Sequence, residues 1–580
     1  MNSLVLLIIC IAVLVCGYIF YGGWLCKQWG VGESDKPTPA HELQDGVDYV
    51  PAKAPVLMGH HFSSIAGAGP ITGPIGAAMF GWVPVVLWIL VGGIFFGGVH
   101  DFGALFASVR HKGQSIGEVI SANMSKRAKR LFIIFSYLTL ILVVAAFASI
   151  VASTFGTVAA TEQTDAAIAA AAAATEANAS VAMVSLLFIV IAIVFGFAVY
   201  RRNASMGLST ILGVLAIVVC MAIGMNFHPI YLSTKAWMII VGIYIAIASV
   251  TPVWILLQPR DYLSSFLLYA MLAVAIVGIV ISHTSLGGAG FVEGAEGLKA
   301  FSGFTVDNGN GTQYLFPVLF TTVACGAISG FHSLVSSGTT SKQLDKEKDA
   351  KPIAYGGMLL ECVLAVITVC AINYAYKNGI TAGATNIFAG GISMMYSIFG
   401  EQAVAILKTL LVLTYSAFCL TSLDTATRLA RFMFQEFWLE PGQTATDVKE
   451  GYKKILVNPY FATIITVVLG IALGMTGWNK IWGLFGAANQ LLAGLGLLAV
   501  ATWLSNAGKN NKMFLPPMAF MMVVTICSLI VTVKNQIGII SAGGADWGPY
   551  AQTVLALLLI VLAIILVIEG IQTLTKKKAA

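Results

Sequence analysis

Histidine and carboxylate side chains interrupt several apolar stretches of this 580-residue chain. His60 and His61 open the segment 59–78, and His332 lies in a hydroxyl-rich stretch. Because histidine changes charge near neutral pH, these residues can relay protons, although hydrogen-bonded packing histidines would give the same pattern. Glu361 has no partner nearby in the sequence, so we predict that it couples an ion, with His60 and His61 as further coupling residues.

Two serines and one charged pair extend this set. Ser336 and Ser337 can coordinate Na⁺, or they can bond back to helix carbonyls, which is the commoner use of such hydroxyls. We include both in the predicted ion-coupling set. Asp424 and Arg428 are spaced i, i+4 and are predicted to form a structural ion pair on one helix face.

Patterns typical of enzymes and metal sites are missing from the sequence. HExxH, GxSxG and Walker motifs do not occur, which argues against metal-dependent catalysis, hydrolysis and ATP-driven pumping. The nine cysteines include no CxxC pair and are predicted to be small buried hydrophobes. We therefore predict that the protein is not an enzyme and holds no metal ion or cofactor.

The segment GHHFSSIAGAGPITGPIGAA (59–78) is too rich in glycine and proline for a plain helix. Proline removes a backbone donor and glycine weakens a helix, so we expect a break near its centre. Within a membrane the freed backbone groups must line a cavity, where a half-helix N-terminus can face an anion. We predict that Ala66, Gly67, Gly69 and Gly73 bind the solute. The alternative is a kinked or closely packed helix.

A second interruption is predicted in the span 236–257, where Pro252 frees a carbonyl near residue 248. Ser249 and Thr251 flank this position. A single proline kink, which is common in membrane helices, is the alternative. Together with His332, these two residues complete the predicted substrate-binding set.

The composition places these elements in a membrane. Only 10% of the residues are charged and 58% are hydrophobic, whereas a soluble domain carries about 25% charged residues. Lipid must solvate such a chain, so its net charge of +6 does not indicate nucleic acid. Apolar stretches of about 20 residues predict about fifteen transmembrane helices. Their approximate bounds are 3–26, 54–80, 84–108, 131–155, 181–200, 207–225, 236–257, 263–283, 314–335, 353–375, 402–430, 457–475, 479–504, 514–534 and 550–572.

The basic residues give this arrangement an orientation. When alternate connections are assigned to one side, 26 of the 32 lysines and arginines fall on that side and five on the other. The remaining one, Lys408, lies inside a span. By the positive-inside rule, the N-terminus is outside and the C-terminus is cytoplasmic.

Interrupted helices at corresponding places in two oppositely oriented halves indicate a transporter built from inverted repeats. We predict an all-α polytopic membrane protein with four parts. They are an N-terminal helix and cytoplasmic loop (1–53), a first five-helix repeat (54–225), a second, inverted five-helix repeat (226–432) and four peripheral helices (433–580).

Four long blocks carry a family resemblance. They are DGVDYVPAKAPVLMGHHFSSIAGAGPITGPIGAAMFGW (45–82), QPRDYLSSFLL (258–268), FPVLFTTVACGAISGFHSLVSSGTTSKQL (316–344) and LTYSAFCLTSLDTATRLARF (413–432). These blocks closely resemble the carbon starvation protein A family, and the match extends over nearly the whole chain. His100 stands where we expect Gln in many members, so no mechanism rests on it.

The resemblance implies peptide uptake through the inner membrane during carbon limitation, or pyruvate uptake with protons, on a LeuT/APC-like core. Peptides and pyruvate both carry a carboxylate, which suits a half-helix N-terminus. We therefore predict a secondary transporter for a small carboxylate-bearing solute, coupled to H⁺ or to Na⁺, in the inner (plasma) membrane. Its expected partners are the solute, the coupling ion and the lipid bilayer. The alternatives are an ion channel and a membrane sensor derived from a transporter fold.

Overall fold

The chain folds almost entirely into helices. The computed structural model describes residues 2–576 except 35, 161, 163, 203, 284–295, 308–311, 382, 441–442, 444–446, 478–479 and 544–545. The helices used below are α1 (Ser3–Trp29), α2 (Ala54–Ile65), α3 (Gly69–Ala77), α4 (Trp82–Arg110), α5 (Ile116–Asn123), α6 (Lys126–Phe155), α7 (Asp165–Gly196), α8 (Met206–Asn226), α9 (Thr234–Val250), α10 (Leu257–Ile281), α11 (Leu315–Thr322), α12 (Gly330–Gly338), α13 (Gly356–Lys377), α14 (Ala384–Met394), α15 (Glu401–Trp438), α16 (Pro459–Thr476), α17 (Phe485–Asn506), α18 (Leu515–Ser541) and α19 (Trp547–Lys576). Strands β1 (Thr305–Asp307) and β2 (Thr312–Tyr314) form an antiparallel pair in one connection.

Within the described residues, twelve continuous helices are long and apolar enough to cross a membrane. Helix α9 is shorter, at 17 residues. Two further paths, α2–α3 and α11–α12, are interrupted near their middle. Each predicted span coincides with one of these elements, so the predicted all-α polytopic membrane fold is confirmed.

The first interruption lies where the glycines and prolines predict it. Helix α2 ends at Ile65 because Ala66 leaves helical backbone geometry, with φ −76° and ψ 49°. Helix α3 begins at Gly69 and has Pro70 at its second position. The first N–H groups of a helix have no acceptor within that helix. Proline has no N–H to leave unpaired there, so it favours a helix start at this position.

The second interruption lies at 323–329, between α11 and α12, and the predicted break at Ser249–Pro252 is wrong. Helix α9 ends at Val250 and α10 begins at Leu257, so Pro252 lies in the connection between two helices. The expectation that Pro252 frees the carbonyl of residue 248 is confirmed. The freed carbonyl of Ala248 accepts a hydrogen bond from Arg428 Nη2 at 2.7 Å.

Buried side chains replace helical hydrogen bonds at the second interruption. Trp88 Nε1 donates to Val323 O at 3.0 Å, and Phe331 N donates to Asn489 Oδ1 at the same distance. Both partners come from other helices, α4 and α17. The break is therefore held in place by its neighbours, as an unpaired buried backbone group would be costly.

The helices pack in matching pairs around these interruptions. Helix α6 packs along α15, and α9 packs against α16. Helix α2 lies along α10, just as α12 lies along α17. The hairpin α7–α8 stands to one side, and α8 exposes large apolar side chains such as Leu212 and Val219. In a membrane protein these surfaces face lipid.

Connections that were predicted to share a side meet in the structure. On the side with the basic connections, contacts join Ala52 to Leu344, Val253 to Val47 and Arg110 to Glu347. On the opposite side, contacts join Trp82 to Lys299, Thr157 to Leu232 and Lys480 to Asp546. The alternation of the chain between two sides is therefore as predicted.

Candidate functional site

A cavity lies beside the first interruption. It is lined by Ile65, Gly67, Ala68, Gly69, Thr72, Val143, Phe147, Cys325, Phe331, Ser422 and Phe485. These residues come from both interrupted helices and from α6, α15 and α17. No Asp, Glu, Lys or Arg is among them. Of the predicted substrate-binding residues, Gly67 and Gly69 line this cavity, whereas Ala66 and Gly73 do not.

Two glycines allow the two interruptions to touch, and a third, Gly67, allows the first interruption to lie against α15. A Cβ atom at Gly69 would lie 2.3 Å from Cys325 Sγ, and one at Gly67 would lie 2.7 Å from Ser422 Oγ. A Cβ atom at Gly73 would lie 2.9 Å from the carbonyl oxygen of Thr322. A larger residue at Gly69 or Gly73 would push the two interrupted helices apart, and one at Gly67 would push the first of them away from α15.

The backbone donors of the first break are not equivalent. Gly67 N–H donates to Ile65 O at 2.8 Å, so it does not point to a solute as expected from the sequence. Gly69 is the first residue of α3, where an N–H has no acceptor within its own helix. Thr72 Oγ1 and Ser422 Oγ each donate to a backbone carbonyl at 3.0 Å. Pro70 has no N–H, and the N–H groups of Ile71 and Thr72 donate to Ala68 O, so Gly69 N–H is the donor at the start of α3 that borders the cavity.

A buried cluster of titratable groups lies next to the cavity. His332 Nδ1 is 2.9 Å from Asp101 Oδ2, and its Nε2 is 3.4 Å from Glu361 Oε2. His100 Nδ1 is 2.8 Å from the other oxygen of Asp101. Cys325 joins His332 and Glu361, so that one ligand atom of each lies within 4.8 Å of the others. His332 thus belongs to this cluster and does not line the cavity.

His60 and His61 tie α2 to the end of α12. His60 Nδ1 lies 2.6 Å from Asp261 Oδ2 on α10, and its Nε2 lies 3.3 Å from Thr339 Oγ1. His61 Nδ1 lies 2.9 Å from Thr340 Oγ1. Both histidines are fully buried. The first half-helix is therefore joined to two neighbours about halfway along its length, before the break.

The predicted ion pair between Asp424 and Arg428 is wrong, because each residue has another partner. Asp424 Oδ2 accepts hydrogen bonds from Arg260 Nη1 and from Tyr244 OH. Arg428 Nη1 lies 2.7 Å from Asp48 Oδ1. The i, i+4 spacing makes a pair feasible on one helix face, but side chains elsewhere in the chain are the observed partners.

Asp48 lies in the connection between α1 and α2 and binds two arginines of α15. Besides Arg428, it contacts Arg431 Nη2 at 3.1 Å. Burial alone would raise the pKa of Asp48, but the charges of Arg431, Arg428 and Lys342 outweigh it and hold that pKa well below its ordinary value. This connection is therefore fastened by charge to α15.

The remaining predicted residues have ordinary structural contacts. Ser249 Oγ lies 3.1 Å from Thr463 Oγ1, and Thr251 Oγ1 donates to Ile247 O at 2.8 Å. Neither lines the cavity. Ser337 Oγ donates to Ser333 O at 2.6 Å, which is the back-bonding alternative. Ser336 Oγ is buried and has no hydrogen-bond partner among the described residues.

Two important residues were missed in the sequence. Asp48 lies in the polar connection before α2, where no site residue was predicted. The signal was the pair of arginines, Arg428 and Arg431, inside an apolar span, because buried arginines need an acidic partner. Cys325 was interpreted as a small hydrophobe. The signal was present in the run VACGAISGFH, which brings a thiol and a histidine into one glycine-rich segment.

The fold and the site together define a class of protein. Two interrupted helices that touch inside a bundle of membrane-spanning helices are typical of secondary transporters. A manganese transporter of Eremococcus coleocola, crystallised with an aromatic bis-isothiourea compound, has the same fold. Its structure aligns with a TM-score of 0.50 at 13% identity, covering 92% of this chain and 99% of that one. The protein is a multi-pass membrane transporter.

The chain belongs to the carbon starvation protein CstA family, whose model matches residues 2–379 and 373–528. The peptide transporter CstA of Bacillus subtilis (strain 168) is 30% identical over 99% of this chain and 97% of its own length. CstA of Escherichia coli (strain K12) is 31% identical over 90% of this chain and 80% of its own. The pyruvate/proton symporter BtsT of the same strain is 31% identical over 70% of this chain and 54% of its own.

Proposed function

We propose that this protein takes up a small carboxylate-bearing solute by proton-coupled secondary transport. The observation that carries the proposal is the uncharged cavity at the start of α3, where the N-terminus of a half-helix meets the second interruption. A helix N-terminus carries a partial positive charge and free N–H groups, which together favour an anion. The solute carboxylate would lie against Gly69.

The lining of the cavity supports a 2-oxo acid such as pyruvate over a dipeptide. A dipeptide also carries an ammonium group, which needs an acidic or carbonyl partner once it is removed from water. None of the lining residues is acidic. One relative is named as a peptide transporter and another as a pyruvate/proton symporter, so the preference for pyruvate rests on the cavity lining.

We infer revised boundaries for the two repeats. The first consists of α2–α3, α4, α6, α9 and α10. The second consists of α11–α12, α13, α15, α16 and α17. Each repeat begins with an interrupted helix, has a short helix after its second member (α5 and α14), and contributes matching pairs to the packing. The hairpin α7–α8 is then an insertion in the first repeat, which is why counting five consecutive spans, as far as 225, places the boundary too early.

Alternating access requires a barrier that opens and closes on each side of the solute. On the side with the basic connections, α2, α10, α12 and α15 are joined by His60, Asp261, Arg260 and Asp424. Asp48 adds a further connection from the segment before α2. We assign this cluster as the inner gate, which is closed in this conformation.

We assign His60 as the residue that couples opening of the inner gate to proton binding. Its imidazole joins the first interrupted helix to both α10 and the end of the second, so a change in its charge alters both contacts. Its partner Asp261 binds Arg260, which in turn binds Tyr244 and Asp424, and His61 is its neighbour in the chain. Sodium, held near the unpartnered Ser336, is the alternative coupling ion.

We place the protein in the inner (plasma) membrane with its N-terminus outside and its C-terminus cytoplasmic. The basic connections form one joined surface, and positive charge is retained on the cytoplasmic side. The inner gate is then cytoplasmic.

Transport into proteoliposomes tests this proposal. The purified chain is reconstituted, and entry of labelled pyruvate is compared with entry of labelled dialanine under an imposed proton gradient, an imposed sodium gradient and no gradient. We expect pyruvate to accumulate only when the proton gradient points inward. Accumulation driven by sodium would reject the proton, and accumulation of dialanine alone would reject the 2-oxo acid. Passive equilibration without accumulation would indicate a channel, and no movement of either solute would indicate a sensor.

A further inference from the structure

Cys325, His332 and Glu361 place three different metal-binding groups around one point inside the bundle. We propose that these residues bind one divalent transition-metal ion of the Zn²⁺ class. Cys325 lies in the second interruption, His332 in α12 and Glu361 in α13. The proposal goes beyond the transport function, because the affinity for metal can be measured whether or not any solute is carried.

The separation of the ligand atoms suits a small tetrahedral ion. His332 Nε2 and Glu361 Oε2 are 3.4 Å apart. Zn–N and Zn–O bonds of about 2.0–2.2 Å at a tetrahedral angle place such a pair about 3.4 Å apart. All three ligand atoms lie within 4.8 Å of one another, and rotation of the short Cys325 side chain can bring the sulfur onto the ion.

The nitrogen and oxygen ligands have unused binding capacity. His332 Nε2 and both carboxylate oxygens of Glu361 are buried and have no hydrogen-bond partner among the described residues. A buried carboxylate without partners is costly, and a coordinated cation removes that cost. With a thiolate and a carboxylate as ligands, a divalent ion also makes the three-residue site neutral.

Asp101 holds the His332 ring in the way that a carboxylate usually holds a metal-binding histidine. A histidine that binds a metal through one nitrogen usually donates its other N–H to a carboxylate, which fixes the ring. His332 Nδ1 lies 2.9 Å from Asp101 Oδ2, and this leaves Nε2 directed at Glu361. Ser329 Oγ lies 3.5 Å from Cys325 Sγ, a distance at which a hydroxyl can support a thiolate.

The ligand types select the class of ion. Thiolate and imidazole suit zinc and its neighbours, whereas magnesium and calcium prefer oxygen ligands only. Three protein ligands leave a fourth position open, as in zinc sites that bind water or a substrate. Cys325 also lines the cavity at the first break, so this position opens beside the cavity.

Titration with Co²⁺ tests the site in the purified full-length protein, after treatment with a chelator. Co²⁺ takes the place of Zn²⁺ in such sites, and it absorbs in the near ultraviolet when one of its ligands is a thiolate. We expect one Co²⁺ per chain, a thiolate-to-cobalt absorption band, and loss of that band when Zn²⁺ is added. X-ray absorption of the zinc-loaded wild type should show one sulfur ligand among nitrogen and oxygen ligands. Absence of tight binding, or a zinc shell without sulfur, overturns the proposal without any variant.

Substitutions then assign the ligands. Cys325→Ser should remove the thiolate band, and Glu361→Gln should weaken Co²⁺ binding at least tenfold. Asp101→Asn should weaken it by about 10–100-fold through its effect on the His332 ring. Cys362→Ser is the matched control, because Cys362 neighbours Glu361 in sequence but faces Gly93. An unchanged band and affinity in Cys325→Ser and Glu361→Gln would place the metal elsewhere and reject the assignment.

Discussion

Arg260 Nη1 contacts Asp424 Oδ2, although the two residues lie 164 positions apart in the sequence. The same guanidinium reaches Asp261 Oδ1 at 2.6 Å and Tyr244 OH at 2.6 Å. Arg260 therefore joins α9, α10 and α15 at the inner gate. Removing one partner of such a buried pair costs about 3–5 kcal/mol, because the other charge is left without compensation.

A double-mutant cycle should find stronger coupling between Arg260 and Asp424 than between Asp424 and Arg428. We expect a coupling energy of about 0.5–3 kcal/mol for Arg260→Gln with Asp424→Asn, as for residues in direct contact. The cycle of Asp424→Asn with Arg428→Gln should give a smaller coupling energy, because these two side chains have different ion-pair partners. The measurement is the free energy of unfolding in mixed detergent micelles. Coupling in the second cycle but not in the first would contradict the observed partners.

Asp48→Asn should destabilise the protein at neutral pH, because Arg428 and Arg431 would lose their shared carboxylate. The expected loss is about 3–5 kcal/mol, the range for breaking a buried pair. Thermal unfolding in detergent measures it. Glu42→Gln is the control, since Glu42 is exposed in the same connection.

The effect of Asp48→Asn should depend on pH in one direction. The folded-state pKa of Asp48 is held below its unfolded value of about 3.9, so its stabilising contribution is complete above that value. As the pH falls below about 4, the unfolded chain takes up a proton that the folded chain does not, and the contribution declines. The difference between wild type and variant should therefore narrow from pH 5 to pH 3. A difference that grows in acid would contradict the ion pairs.

The sequence predicts the spans and the first interruption because both depend on local properties. Apolar length defines a membrane helix, and the run from Gly67 to Pro74 breaks one wherever it is placed. Family resemblance adds the class of solute. None of these inferences needs to know which helices are neighbours.

Partners distant in sequence could not be predicted in the same way. The spacing of Asp424 and Arg428 is a local pattern, yet Asp424 contacts Arg260 and Arg428 contacts Asp48. Under the repeat boundaries that we infer, the hairpin α7–α8 is an insertion, and counting helices along the chain cannot show which helices are insertions. The second interruption was recognised as unusual for its hydroxyls, but Pro252 carried the stronger local signal and lies in a connection.

His60→Gln should separate solute movement from its dependence on protons. Glutamine keeps a polar side chain of similar reach but cannot become charged. We expect exchange of labelled for unlabelled solute to persist, while accumulation under an inward proton gradient is lost. His41→Gln is the control, because His41 is exposed and pairs with Asp345 on the same side of the protein. Gradient-driven accumulation that survives His60→Gln would assign the coupling to another group.

Gly69→Leu should abolish uptake while leaving the protein in the membrane. A Cβ atom at position 69 would lie 2.3 Å from both Cβ and Sγ of Cys325, so the side chain must fill the cavity or separate the two interrupted helices. Gly538→Leu is the matched control, since no atom lies within 4 Å of a Cβ atom built there. Uptake is measured in proteoliposomes at equal protein content, and size-exclusion profiles compare folding. We expect the control to transport like wild type and Gly69→Leu to match empty liposomes. Normal uptake by Gly69→Leu would mean that the solute does not pass the start of α3.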